Sequence, residues 1–217
     1  MSSSFVSANR PRTLVAVIDE REVAAVVVGP WAETVTAWMR ADASVDCLGS
    51  LWTIVEQLGV DFDRITAACD VRDRAELAGE LARQSLRPAR VAGTAELAAR
   101  SVVESRGVEL VLSIGARFES ALFVDGVALP TFELGAHRFR KGVTYAEYLA
   151  GDAADRLGRR KWNDRALRAI DQLIAVFAPR KIYVTGRDAV LVHDEPAEVV
   201  EVVRVERTLA GAIALWR

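Results

Sequence analysis

The sequence has little cysteine and no apolar run long enough to cross a membrane. Only two cysteines, Cys47 and Cys69, occur in 217 residues, and two such residues make neither a disulfide framework nor a metal-binding spacing. The longest apolar runs, such as residues 23–28, are far too short to cross a bilayer. The N-terminus lacks a charged-then-apolar segment with a small-residue cleavage site. We therefore expect a cytoplasmic protein that makes no contact with membranes.

The chain also lacks an excess of charge of one sign. Its formal net charge is -2, which excludes a global field that would attract nucleic acid, so no nucleic-acid partner is expected. The local basic run Arg159-Arg160-Lys161 has two interpretations, a solvated helix start or an anion-binding site.

The composition is that of a protein with a sizeable core, since 51% of residues are hydrophobic and 27% are charged. Residues 1–12 are Ser-rich and aperiodic, which predicts a disordered tail. Apolar runs and alternation predict strands at 13–19, 23–28, 65–69, 109–114, 120–124, 181–185 and 198–205. Helical spacing predicts helices at 45–58, 74–85, 95–105, 145–157, 163–177 and 209–216. Strands interleaved with helices predict an α/β protein.

Local signals connect some of these elements. Three polar residues separate the first two strands, which predicts a hairpin, and Asp125-Gly126 is typical of a tight turn between paired strands. Thr94 is predicted to cap the third helix through its hydroxyl group. The segment 31–44 has no clear periodicity.

Four segments, taken in order, resemble the ROK (repressor/ORF/kinase) sugar kinases, and within them the polyphosphate-glucokinase branch. LVLSIGARFESALFVDG (110–126) resembles that family's second phosphate loop between two strands, and FELGAHRFRKGVTYAEYL (132–149) resembles its sugar-contacting segment. KWNDRALRAIDQLIAVFAPRKIYVTG (161–186) resembles the helix and strand before the adenosine loop, and LAGAIALW (209–216) the closing helix. The resemblance implies a shortened actin-like ATPase (ribonuclease H-like) fold with two lobes, at residues 13–107 and 108–217.

The resemblance fails at the positions that carry the family's chemistry. The first phosphate loop, Asp-x-Gly-Gly-Thr in the family, here reads Asp19-Glu20-Arg21, which places side chains where the backbone must approach phosphate closely. The family's catalytic Asp is replaced by Thr94, and a Thr hydroxyl does not accept a proton at neutral pH. Glu96, two residues on, is the nearest acid, although on a helix it would point elsewhere.

The remaining family motifs are also degenerate. The second phosphate loop, Gly-Thr-Gly-x-Gly in the family, keeps Gly115 but has Arg117 and Glu119, and the adenosine loop reads Thr185-Gly186-Arg187-Asp188. The family's zinc motif of His and clustered Cys is missing, so no metal and no cofactor are expected. The departures together predict the loss of phosphoryl transfer.

Several acidic and imidazole groups remain as candidates for a site. Asp19 and Asp70 end buried strands at the sheet edge where open α/β sheets bind their ligands, although a solvated strand end is the more frequent case. By resemblance, Glu133 and His137 lie in the sugar segment and could bind a sugar-like or anionic small ligand. Alternatively, Glu133 pairs within a loop and His137 packs on Phe139.

Three functions stay open from the sequence. The first is a non-catalytic interaction or regulatory protein that forms a homodimer, or a heterodimer with a related protein. The second is a fold repurposed for a reaction without ATP, using acids such as Asp19, Asp70 and Glu133. The third is a weak glucokinase that uses polyphosphate or ATP.

Overall fold

The computed structural model describes residues 11–19, 21–43, 46–69, 73–129, 133–193 and 197–216. The strands are β1 Thr13–Ile18, β2 Glu22–Val28, β3 Met39–Asp42, β4 Arg64–Cys69, β5 Ala89–Ala92, β6 Val108–Ile114, β7 Phe118–Val124, β8 Val127–Ala128, β9 Arg138–Arg140, β10 Val143–Thr144, β11 Lys181–Thr185 and β12 Val200–Val202. The helices are α1 Cys47–Leu58, α2 Arg74–Ser85, α3 Thr94–Val102, α4 Tyr145–Leu149, α5 Ala153–Leu157, α6 Arg159–Phe177 and α7 Leu209–Ala214. Predictions at Glu20, Asp70 and residues 1–10 lie outside the described ranges.

Two five-stranded sheets organise the molecule. The first sheet has the order β3-β2-β1-β4-β5 and the second the order β12-β11-β6-β7-β8. In each sheet an antiparallel hairpin adjoins parallel strands, with β4 and β5 parallel to β1, and β11 and β12 parallel to β6. The predicted hairpin β1–β2 is confirmed, with Thr13 opposite Val28, and so is β6–β7, with Ile114 opposite Phe118.

Each sheet buries its own hydrophobic core. Leu51 and Ile54 of α1 pack with Leu14 and Ile65 of the first sheet, as the apolar spacing of 45–58 predicts. On the second sheet, the long helix α6 buries Trp162, Ala166, Ile170 and Leu173. The Trp162 indole N–H donates a 2.8 Å hydrogen bond to the Leu149 carbonyl, which joins α6 to the end of α4. The buried residues of α6 therefore recur at intervals of three and four positions, in agreement with the helical spacing that predicts a helix at 163–177.

The chain's closing helix returns to the first sheet. Leu209, Ala212 and Ile213 of α7 pack against Val15 and Val26, although the sequence division assigns them to the second lobe. That division at residues 107 and 108 stays a prediction. A Cβ atom built on Gly211 would lie 2.0 Å from the Leu97 carbonyl oxygen of α3, so α7 and α3 cross too closely for any side chain.

Three local predictions need correction. Gly93 is the N-cap of α3 and Thr94 is the first residue of the helix, so the prediction that Thr94 caps this helix is wrong. The helix predicted at 145–157 is two short helices, α4 and α5. They separate at Gly151, where φ is +70° and the N–H donates a 2.9 Å hydrogen bond to the Gly115 carbonyl. The strand predicted at 198–205 is shortened to β12.

None of the helices within the described ranges is both long and apolar enough to cross a membrane.

Candidate functional site: a cleft closed by ion pairs

Three loops meet at the carboxyl ends of β1, β6 and β11. The loop after β1 contains Asp19, the loop after β6 contains Gly115 and the loop after β11 contains Arg187. In the sequence, these loops resemble the family's first phosphate loop, second phosphate loop and adenosine loop, respectively. A Cβ atom built on Gly115 would lie 3.5 Å from the Arg187 Cβ and 3.8 Å from Asp19 Oδ2. The two lobes therefore both contribute to this cleft, where Asp19 and Arg187 lie beside Gly115.

Arg187 is held from several sides. Its Nε and Nη2 donate to the two carboxylate oxygens of Asp188 at 2.8 and 3.0 Å, and Nη2 also donates to the Gly151 carbonyl at 3.0 Å. The hydrogen bond to Asp188 holds the pKa of Arg187 above its usual value, and the charges of Asp188, Asp19 and Asp155 act in the same direction. This guanidinium group is committed to the protein's own carboxylates.

A second arginine spans the cleft at the first loop. The backbone N–H of Arg21 donates to Asp19 Oδ1 at 3.0 Å, which fixes the turn between β1 and β2. The Arg21 side chain reaches Asp155 of α5, with Nη1 2.6 Å from Oδ2. The side chains are 48% and 70% exposed, so solvent weakens this pair. It nevertheless joins residues on the two lobes.

The third arginine lies at the N-terminus of α3. Arg74 Nη2 is 3.0 Å from Glu119 Oε1, and Glu119 Oε2 accepts the backbone N–H of Ala95 at 3.2 Å. A Cβ atom built on Gly93 would lie 2.5 Å from Arg74 Nη2 and 2.8 Å from Glu119 Oε2. The free amides of a helix N-terminus favour an anion, and here Glu119 from β7 supplies it.

The charged groups of this cleft are paired with one another. Its carboxylates are those of Asp19, Glu96, Glu119, Asp155 and Asp188, and the guanidinium groups that contact them are those of Arg21, Arg74, Arg100 and Arg187. Each of these four guanidinium groups lies within ion-pair distance of a carboxylate. A triphosphate or polyphosphate entering the cleft would have to displace these carboxylates from the cations, so the arrangement disfavours polyanions.

Among the described residues, Thr94 and Glu96 are those that the sequence places at or next to the predicted base position. Thr94 lies at the start of α3, and its hydroxyl is not a base at neutral pH. Glu96 accepts from Arg100 at 3.0 Å and lies 3.7 Å from Arg74. Its carboxylate is therefore engaged in ion pairs on the helix surface.

A separate cavity of about 500 Å³ opens beside the second loop. Its lining consists of Ala116, Arg117, Phe118, Glu133, Gly135, Ala136, Thr144, Ala146, Glu147, Ala150 and Gly151. Thr144 and Glu147 bond each other's backbone amides as a capping box for α4. Glu133 is exposed and precedes a short 3₁₀ turn, and its side chain makes no hydrogen bond that caps this turn. The lining thus contains one cation, Arg117, and an exposed carboxylate, Glu133, that caps no helix.

The structure separates the residues that the resemblance grouped as a sugar segment. Glu133 lines the cavity, whereas His137 is exposed and outside the lining, and its carbonyl accepts the Tyr145 N–H at 3.1 Å. Phe139 lies against the rings of Tyr145 and Tyr148, with centroids 4.6 and 4.9 Å away.

The sequence reasoning missed Arg74 and Asp155, and neither residue lies in a motif that would have pointed to the cleft. Within the described ranges, no group of three His, Cys, Asp or Glu residues is arranged for a metal ion.

Comparison with known proteins identifies structural relatives only. No family model and no curated protein matches the chain. The polyphosphate/ATP-glucomannokinase from Arthrobacter sp. strain KM superposes with a TM-score of 0.74 at 17% identity, over 95% of this chain and 100% of that one. The ROK family glucokinase from Streptomyces griseus gives 0.69 at 15% identity, over 94% and 98%.

A ROK family transcriptional regulator, a homologue of the E. coli MLC protein, gives a TM-score of 0.59 at 13% identity, over 93% of this chain and 77% of that one. At these identities the likeness establishes the fold. The chain has the two-lobed actin-like ATPase fold of ROK kinases in a shortened form of 217 residues. Kinases and a regulator share this fold, so the fold alone does not assign an activity.

Proposed function

We propose that this chain is a catalytically degenerate homologue of the ROK sugar kinases that acts as a non-catalytic interaction or regulatory protein. The observation that carries the proposal is the position of Glu119. Its carboxylate takes the Ala95 N–H at the start of α3 and pairs with Arg74. A backbone amide and a cation at the cleft, the groups that would bind a phosphate, therefore already bind a side chain of the protein.

The residue at the base position supports the same proposal. General-base catalysis contributes about 10²–10⁴-fold in rate, and Thr94 cannot supply it. The loops resembling phosphate loops also carry Arg21, Arg117 and Glu119 where the family has glycine or small residues. Binding and proton transfer are thus both impaired, by separate residues.

Two measurements test this proposal. Calorimetry with ATP and magnesium should detect no submillimolar binding, and a coupled glucokinase assay should detect no turnover with ATP or with polyphosphate. Turnover that disappears in Glu96→Ala or Asp19→Ala would mean that a relocated acid performs the reaction. In that case the weak-glucokinase alternative would replace ours.

A second candidate, a fold repurposed for a reaction without ATP, is favoured by one observation. Glu133 is an exposed carboxylate that lines a cavity of about 500 Å³, as Arg117 does, and a carboxylate and a cation in the lining of one cavity suit a sugar-like or anionic small ligand. A thermal-shift screen of sugars, amino sugars and sugar acids tests this candidate. A compound that stabilises the native protein but not Glu133→Gln would support it.

We further propose a cytoplasmic homodimer, or a heterodimer with a related protein, with lobes divided near residue 107. Light scattering at micromolar concentration measures directly whether the chain is a monomer or a homodimer. A monomer that also captures no related protein would count against the assembly.

A further inference from the structure

Six cations occupy one region of the second lobe. Arg138 and Arg140 alternate on β9 around the inward-facing Phe139, and Lys141 follows at the tip of the β9–β10 hairpin. Lys161, Arg165 and Arg168 lie on α6 at intervals of four and three residues, so they share one side of the helix. We call these six residues the basic face.

Tyr148 joins the two parts of the basic face. The Phe139 ring of the hairpin lies 4.9 Å from the Tyr148 ring. The Arg165 guanidinium lies 4.5 Å from the same ring, and Arg168 Nη1 is 3.5 Å from the Tyr148 hydroxyl oxygen. The hairpin and the middle of α6 are therefore neighbours, because both contact Tyr148.

The cations of the basic face are left without acidic partners. None of the six forms an ion pair with a carboxylate in the part of the chain that the structure describes. Residues 133–177 contain nine Lys and Arg and six Asp and Glu, in a protein whose net charge is -2. Because like charges repel, such clustering costs stability unless a ligand compensates it.

The acids near the face restrict what that ligand is. Glu147 is bound in the capping box of α4, whereas Asp164 and Asp171 are exposed on α6 beside the basic stripe. A uniform polyanion would be repelled by Asp164 and Asp171. A protein segment with mainly acidic and some basic side chains can match both signs.

We propose that the basic face is a docking surface for an acidic, mixed-charge segment of a partner protein. This inference rests on the proposed function and names the chemistry of the partner. Four of the six cations are arginines, the charged residue most enriched at protein interfaces because its planar group makes several hydrogen bonds. Exposed aromatic rings, which bind unstacked bases, are not part of the face, since Tyr145 and Tyr148 are buried and Phe139 is partly buried against their rings.

Fluorescence anisotropy tests the docking surface with defined probes. The probes are a labelled Glu-rich peptide with interspersed lysines, inorganic polyphosphate and a DNA duplex, matched in net charge. We expect the peptide to bind at least about tenfold more tightly than the other two, and the binding to weaken as salt screens the charges. Tighter binding of polyphosphate or DNA would overturn the proposal in favour of those ligands.

Matched variants identify the surface. Arg138→Glu/Arg140→Glu should weaken peptide binding about tenfold or more, and Arg138→Gln/Arg140→Gln should weaken it less. The control Arg87→Glu/Arg106→Glu changes the net charge equally at exposed sites elsewhere and should have little effect. Equal losses in the variant and the control would overturn the proposal.

A further pair of substitutions tests the role of the acids. Asp164→Asn/Asp171→Asn should tighten polyphosphate binding and so reduce the preference for the peptide, and an unchanged preference would count against the charge-matching argument. The kinase assay is independent of all these measurements. If the peptide does not bind and the kinase assay detects no turnover, only the docking surface is disproved. If the assay detects turnover, the proposed function is disproved.

Discussion

The cleft and the basic face contain the same types of side chain in opposite situations. In the cleft, Arg21, Arg74 and Arg187 each pair with a carboxylate of the protein. On the basic face, none of the six cations forms an ion pair with a carboxylate within the described ranges. The difference is consistent with a cleft whose charges are balanced within the chain and with the proposed role of the basic face as a docking surface.

The largest expected effect concerns Arg187. Arg187→Met would leave the Asp188 carboxylate, which is 6% exposed, without its bidentate partner. Removing one partner of a buried pair costs about 3–5 kcal/mol. Because the Arg187 side chain is 35% exposed, we expect about 2 kcal/mol in the free energy of unfolding. Urea denaturation measures this loss of stability. Arg187→Met/Asp188→Asn should recover part of the loss, and no recovery would contradict the pairing.

The next effect concerns Glu119. Glu119→Gln keeps the shape of the side chain but removes the charge that Arg74 and the Ala95 N–H share. We expect a loss of about 1–2 kcal/mol in the free energy of unfolding, since charge-assisted hydrogen bonds are stronger than neutral ones. Glu96→Gln is the control, because the Glu96 carboxylate is 43% exposed. Equal losses in both variants would mean that the Glu119 contacts at the start of α3 stabilise the protein no more than the exposed ion pairs of Glu96 do.

On the basic face the sign of the effect should reverse. Lys161→Gln removes one of two like charges spaced four residues apart, Lys161 and Arg165, so the protein should become more stable by about 0.2–0.5 kcal/mol. The gain should disappear at high salt, which screens the repulsion. A loss of stability instead would show that Lys161 already has a favourable partner.

The smallest effect concerns the pH dependence of stability beside the basic face. The Thr144 N–H donates to the Glu147 carboxylate at 2.7 Å, and this bond holds the pKa of Glu147 below its usual 4.5. A lowered pKa in the folded state means that the contribution exists above the unfolded value and is lost as pH falls through the folded one. Glu147→Gln should flatten the stability curve below about pH 4.5 more than Glu133→Gln does. Identical stability curves for the two variants would contradict the stabilising role of the bond between Thr144 and Glu147.

The sequence predicted the elements of the fold better than the contacts of the cleft. Helix α2 and strand β11 have the predicted bounds, because apolar periodicity and flanking polar residues determine them locally. The pairs Arg21–Asp155 and Arg74–Glu119 join residues 134 and 45 positions apart, and no local pattern encodes such partners. The break between α4 and α5 was missed for the same reason, since the Gly151 N–H binds the distant Gly115 carbonyl.

The return of α7 to the first sheet has a consequence for synthesis on the ribosome. The Thr66 hydroxyl donates to the Ala212 carbonyl at 3.0 Å across 146 positions of sequence, and Val15 and Val26 are covered by Leu209 and Ile213. The amino-terminal strands therefore emerge from the exit tunnel long before the helix that covers them. We expect the nascent first lobe to expose an apolar sheet face until residues 209–214 emerge, which makes it a substrate for chaperones during translation.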